Sequence, residues 1–282
     1  MSGAVLLIGI ISYALYFYVD FSSYMDMMIG ISETFGIDIP ENFRQPFFST
    51  SISEFWRRWH ITLGGWFKDY IMMPFIQSKM GRILRSRFKK YGKDTSRNAP
   101  LLVGTFLVWI ATGLWHGTGI KYVLWGFYYC IIISSSLLLE NKYKALKRKL
   151  HINDKALWYK VFAVIRTCLL VLIANLILVT DKSYDILIVL YKIASRNFMI
   201  GTKISFNSLG WITQDAIVLC VSMALLLFIS IQKERGKNVL AELDRIVLPV
   251  RWAIYYLMIF SVLYFGRYGI GYDTGNFLYT HF

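Results

Sequence analysis

Six stretches of this 282-residue chain, residues 3–19, 101–115, 122–139, 161–179, 211–231 and 252–265, are built mainly from Leu, Ile, Val and aromatic side chains and hold almost no charge. Backbone amides in hydrocarbon have no water to bond, so such a run must close its hydrogen bonds within itself, as a helix. Crossing a hydrocarbon core of about 30 Å takes about 20 helical residues. Several runs are a little shorter, which tilt or protein neighbours accommodate. Trp and Tyr stand near many of their ends, as an interfacial belt requires. Hydrophobic residues make up 56% of the chain, above the roughly 45–50% of soluble domains. Their gathering into blocks argues for spans through lipid rather than one oversized core. The expected fold is all-α: a polytopic, multi-pass membrane protein of about six spans, one continuous domain over residues 1–282, with the lipid bilayer as its first partner. The run that starts at Gly3 has no basic segment before it and no small-x-small cleavage site after it, so it reads as a span and not a signal peptide.

The formal net charge is +14, from 31 Lys and Arg against 17 Asp and Glu. In a soluble protein that excess would point to nucleic acid; here its placement assigns it to topology. The basic residues cluster in three stretches, 79–97, 141–160 and 232–251, and two spans separate each neighbouring pair. Two crossings return the chain to the same side, so all three can be cytoplasmic together under the positive-inside rule. By that count the 115–121 junction, the 181–210 connection and the C-terminal tail face outward, and no nucleic-acid partner is expected. Cys130, Cys168 and Cys220 each lie inside an apolar run without CxxC spacing. Packed thiols are expected, with neither a disulfide framework nor a metal site.

The interval from Asp20 to Phe75 breaks the pattern, combining many aromatics with Asp20, Asp26, Glu33, Glu41, Arg44, Glu54, Arg57, Arg58, Lys68 and Asp69. Charges at membrane depth persist only where protein buries them or a water-filled cavity receives them. Met25, Met28, Ile29, Ser32 and Phe35 fall at helical spacing and predict an amphipathic interfacial helix. Pro40 and Pro46 interrupt the next segment. Residues 53–74 then read as a helix capped by Ser51 or Ser53, with Glu54 in its first turn. The interval is expected to be interfacial or re-entrant structure around a buried histidine.

Two of the four histidines stand in dense motifs: His60 in Glu54-Phe55-Trp56-Arg57-Arg58-Trp59-His60, and His116 in Gly113-Leu114-Trp115-His116-Gly117-Thr118-Gly119. His151, in a basic stretch, and the penultimate His281 carry little signal. At 1.5 Å per residue from Pro100, His116 stands about 24 Å up its helix, in the outer part of the bilayer beside glycines that let backbone or substrate come close. Two roles remain open for it on local grounds. It can act as a general base, since an unperturbed imidazole titrates near 6.5; or it can bond across helices as packing glue.

The stretch from Tyr16 to Phe75 closely resembles membrane-bound O-acyltransferases (MBOATs) of the alginate O-acetylation type. The resemblance lies in Asp20-Phe21-Ser22 with Tyr24 and Asp26, the Pro40-Glu41-Asn42-Phe43 step and the His60 motif. Trp115-His116-Gly117 stands where that family carries its essential histidine, and the closing 277–282 segment resembles the aromatic ending of the alginate type. D-alanine transferases of teichoic acid synthesis share both histidine motifs. Similarity is strong to about Phe127 and rests on hydropathy alone between about Lys142 and Phe265.

By that resemblance His116 is the catalytic histidine, activating an acceptor hydroxyl for attack on an acyl thioester. His60, where eukaryotic relatives carry asparagine, lines the chamber or orients the donor. Arg57 and Arg58 are candidates to attract a phosphate-bearing donor such as a carrier phosphopantetheine, and Trp115 and Trp59 are candidates to line the substrate site. The implied activity moves an acyl group, acetyl by analogy, from a cytoplasmic-side thioester to a hydroxyl of an extracytoplasmic cell-envelope polysaccharide. The donor, acetyl-CoA or an acyl carrier protein, is a substrate and not a bound cofactor. Transfer would run directly or through a partner acyltransferase. The rival readings are D-alanyl transfer to teichoic acid and a non-catalytic membrane fragment or scaffold. Relatives begin with several more helices before the equivalent of Gly3, forming one wall of the acyl-transfer tunnel; the expectation is that this chain lacks those N-terminal helices, which would limit its activity alone.

Overall fold

The computed structural model describes residues 2–180, 183–195 and 213–266. His281 with the 277–282 segment, and much of the 181–210 connection, lie outside them. Among the described residues six helices are long and apolar enough to cross a membrane, one for each apolar run. The described chain is helical throughout except for loops and a single antiparallel bridge, Phe43 to Trp59.

Helix α1 runs from Gly3 to Thr34, capped by Ser2, whose hydroxyl accepts from the Val5 N–H at 3.4 Å. The boundary expected at Val19 and the separate interfacial helix after it are replaced by one 32-residue helix. No proline stands between Val19 and Thr34 to stop propagation, and Gly36 ends the run at φ +72°. At 1.5 Å per residue the helix measures about 48 Å, so its charged C-terminal part extends beyond an apolar layer.

The helix expected over 53–74 is several pieces: α2 (Ile52–Arg58), α3 (Ile61–Phe67), a π-helical turn (Lys68–Met72) and α4 (Met73–Gln77). Ser51 is the cap, its hydroxyl accepting from the Glu54 N–H at 3.1 Å. Glu54 reaches back to the Thr50 N–H and hydroxyl at 2.8 and 2.7 Å. The break falls at Trp59–His60, where no glycine or proline announces it.

Helix α5 (Lys79–Arg87) folds back along α6 (Lys93–His116), which starts at Lys93 and not at Leu101. Helix α7 (Ile120–Leu138) packs closely on α6. A Cβ on Gly113 would stand 2.6 Å from the Tyr122 carbonyl oxygen, and one on Gly126 would collide with the Trp109 carbonyl. Backbone meets backbone at this crossing, as small residues allow in membranes. Helix α8 (Glu140–Lys149) carries part of the second basic stretch and leads to α9 (Leu157–Val179), which packs on α7 and on α2. Arg166, inside α9, donates to the Thr50 carbonyl at 2.8 Å, and the Tyr128 hydroxyl donates to the Leu170 carbonyl at 2.8 Å. Helix α10 (Ser183–Ala194) lies within the stretch expected only as a connection and packs on α1.

These elements belong to one compact unit, residues 1–201; residues 202–281 form a second. The second holds α11 (Thr213–Glu234), the short α12 (Val239–Asp244) capped by Asn238, and α13 (Leu248–Phe265). The described residues of α11 and α13 leave most of their apolar side chains exposed, and the Cys220 thiol, expected to pack, is exposed with them. In the first unit Cys130 is buried and Cys168 half-buried.

Candidate active site

The core of the first unit is aromatic. Phe55, Trp59, Trp109, Trp125 and Tyr129 are buried together with Ile52, Val171 and Ala174. Trp56 packs edge-on against Trp109, Trp125 and Tyr129 at centroid distances of 4.9, 5.6 and 4.9 Å. Such rings bury much apolar area in fixed orientations, and they make a rigid wall around two histidines that lie far apart in the chain.

His60 occupies the break between α2 and α3 in a left-handed conformation, φ 45° and ψ 55°. For a residue with a Cβ this costs roughly 1–2 kcal/mol, so its surroundings must hold it. Asn42, only 4% exposed, does so. Its Oδ1 accepts from the Thr62 N–H at 3.0 Å and the Thr62 hydroxyl at 2.7 Å, and lies 3.3 Å from His60 Nδ1. The Asn42 carbonyl accepts from the Ile61 N–H at 3.1 Å, and the Arg44 N–H donates to the Arg58 carbonyl at 2.9 Å. An oxygen already taking two Thr62 protons is an acceptor, so the His60 contact requires the proton on Nδ1. Phe21 packs edge-on against the imidazole at 4.8 Å.

His116 is the last residue of α6, and Gly117 follows at φ 157°, where a Cβ would run into the Tyr122 ring. Its imidazole packs edge-on against Trp125 at 4.9 Å. Trp115 joins the two motifs: its ring centroid lies 4.8 Å from that of His116 and 6.1 Å from that of His60. The fold thus brings His60, Trp115 and His116 to one place.

Two cavities meet there. The larger, about 480 Å³, is lined by His60, Arg57, Ser53, Lys68, Thr105 and Thr112 on its polar side and by Trp56, Trp109 and Met72 on its apolar side. That volume falls within the roughly 300–1,000 Å³ of small-molecule sites. The smaller, about 30 Å³, is lined by His116, Trp125, Trp59, Tyr129 and Asn175, among others. Among the described residues Trp56 alone is common to both linings, so the two cavities adjoin at its ring.

The remaining candidates divide. Arg57 is exposed and lines the larger cavity, as a residue meeting an anionic donor would. Arg58 is held by Glu54 at 2.7 Å and reaches the Gln45 carbonyl at 3.5 Å, an anchoring arrangement. Burial pushes the Glu54 carboxyl up, but hydrogen bonds from Thr50 and the Arg58 guanidinium bring it below the usual carboxylate range. Trp59 is buried at 6% exposure, stacked on Phe17 and Phe55 at 5.5 Å, and reaches the smaller cavity. No cluster of metal-ligating side chains occurs among the described residues.

Sequence reasoning passes over Asn42, Trp56, Trp125 and Asn175. Asn42 lies inside a recognised motif without a role of its own. Asn175 has a signal: an amide within the apolar run 161–179 must find a use or cost free energy.

Residues 2–180 match the family described as MBOAT, membrane-bound O-acyltransferase. The chain is 36% identical over 137 residues to the teichoic acid D-alanyltransferase of Bacillus subtilis, covering 48% of this chain and 32% of that protein. It is 34% identical over 166 residues, 59% of this chain and 27% of the relative, to a Pseudomonas syringae protein named as a probable alginate O-acetylase, AlgI. The peptidoglycan O-acetyltransferase of Helicobacter pylori is 33% identical over 141 residues, 50% of this chain and 23% of that protein. The matches therefore span about a quarter to a third of these relatives' length. The family match covers more than half of the chain and contains both histidine motifs and both cavities; the chain belongs to the membrane-bound O-acyltransferase family.

Proposed function

We propose that this chain carries the transfer centre of a membrane O-acyltransferase that moves an acyl group, acetyl in the reading favoured here, from a cytoplasmic-side thioester to a hydroxyl of an extracytoplasmic polysaccharide. The observation that carries the reading is the convergence of His60 and His116 on Trp115 beside a cavity of small-molecule size. The donor, acetyl-CoA or an acyl carrier protein, occupies the larger cavity, where Arg57 and Lys68 can meet its anionic groups, and its thioester reaches past Trp56 to His116 at the smaller one. His116 takes the proton of the acceptor hydroxyl as the oxygen attacks the thioester carbonyl carbon. The carbon–sulfur bond then breaks, and the thiolate leaves with the proton returned by the imidazolium. His60 orients the donor, and a partner acyltransferase can receive the acyl group before the polysaccharide does.

A positioned general base contributes about 10²–10⁴-fold. His116→Gln in membranes holding the full-length protein should therefore lose acyl transfer by that factor while its amount and membrane insertion stay normal. His60→Asn should retain partial activity. Near wild-type transfer by His116→Gln overturns the role assigned to it. If both variants transfer normally, the enzyme reading of both histidine motifs falls. The likeness to the teichoic acid D-alanyltransferase supports a second reading, D-alanyl transfer; mass spectrometry of the modified envelope polymer separates a D-alanyl from an acetyl ester.

A further inference from the structure

Asn175 sits in the apolar helix α9, is 9% exposed, and faces the small cavity that holds His116. Among the described residues no hydrogen bond ties its amide, while other polar groups of α9 have found acceptors: Thr167 bonds the Ala163 carbonyl and Arg166 the Thr50 carbonyl. The Asn175 amide lines the small cavity and is available to a group that enters it. Two more donors stand at the same place. Trp56 and Trp125 both line the cavity, and among the described residues the indole N–H of each is buried without an acceptor. Their rings are 5.6 Å apart, and Trp125 is 4.9 Å from His116. The cavity is small, about 30 Å³: it has room for a water-sized group and far too little for a whole donor.

We infer that Asn175, together with the indole N–H groups of Trp56 and Trp125, is the donor site for the acyl carbonyl oxygen during transfer. The inference rests on the acyltransferase reading above. When the acceptor oxygen bonds to the carbonyl carbon, the π pair moves onto the carbonyl oxygen and the proton passes to His116. The resulting oxyanion needs donors already in place, because in a water-poor site nothing else can reorganise to meet it. Asn175, Trp56 and Trp125 offer neutral N–H donors on the same cavity as the base. Collapse of the intermediate returns the pair to the C=O bond and expels the thiolate.

The test uses the full-length protein in detergent or proteoliposomes, with acetyl-CoA and a D-alanyl carrier thioester both offered and the one that turns over taken as donor. Removing one such donor lowers kcat by about 10²–10³-fold. Asn175→Leu should do so with KM for the thioester unchanged, and the pH profile set by the base should keep its shape. Asn175→Ser, which restores a small donor, should recover part of the loss. Replacing Trp125 by 3-benzothienylalanine keeps the fused ring and exchanges only the N–H for sulfur, so it should also lower kcat. Unchanged kcat in Asn175→Leu, or a rise in KM alone, overturns the inference. If Asn175→Leu does not accumulate in membranes, the benzothienylalanine replacement of Trp125 decides by the same criterion. His116→Gln run alongside separates the two claims: if it is inactive while Asn175→Leu is fully active, the base stands and the donor site falls.

Discussion

Replacing Asn42 with alanine tests how the fold holds His60 in place. The substitution removes one oxygen that accepts from the Thr62 N–H and hydroxyl and meets His60 Nδ1. Net worth per hydrogen bond is about 1 kcal/mol, and a buried donor left unmatched costs about 1–3 kcal/mol. Loss of all these contacts would suggest about 3 kcal/mol. Relief of the left-handed His60 backbone returns roughly 1–2 kcal/mol of that, since residues 60–62 can then relax. The expected destabilisation is therefore about 1–2 kcal/mol. Denaturation in mixed detergent micelles, followed by tryptophan fluorescence, reads it directly. Asn42→Asp, which keeps the acceptor, should lose much less. Transfer activity in Asn42→Ala should fall further than stability alone explains, because His60 would no longer be held beside Trp115. A stability change below about 0.5 kcal/mol, with transfer intact, would refute the claim that Asn42 pins this break.

The other consequences are simpler to check. Cysteine placed at Lys90, Lys147 or Lys237 should resist an impermeant thiol reagent in intact cells and react after permeabilisation; labelling of any one in intact cells breaks the parity argument. At the α6–α7 crossing, Gly126→Leu should cost several kcal/mol and displace His116, because the added side chain meets the Trp109 backbone carbonyl, which cannot step aside. Stability close to wild type would show that the two helices have room to separate.

The spans are legible in the amino-acid pattern because lipid enforces them: a charge-free run has only the helix open to it, and each apolar run reappears as a long helix. The cap at Ser51 is legible too, since capping is a contact between residues three apart. So are the two histidine motifs, carried by resemblance and local composition. The continuation of α1 to Thr34 is not, because the charges after Val19 suggest a boundary, whereas charge does not break a helix; only backbone does.

Distant contacts impose the rest, and the chain pattern does not reveal them. The break at His60 has no local breaker; it exists because Asn42 and Arg44, well upstream in the chain, capture the backbone and side chains that a continuous helix would have kept. The meeting of His60 with Trp115 depends on the glycine-mediated crossing of α6 and α7 and on the seating of α2 against α7 and α9. Asn175 is visible in the sequence as one amide in a greasy helix, but helical periodicity says only which residues share a face. That its face turns toward the cavity lined by His116, Trp56 and Trp125 is decided by how α9 packs, because in lipid every face of an apolar helix is equally tolerated until a neighbour claims it.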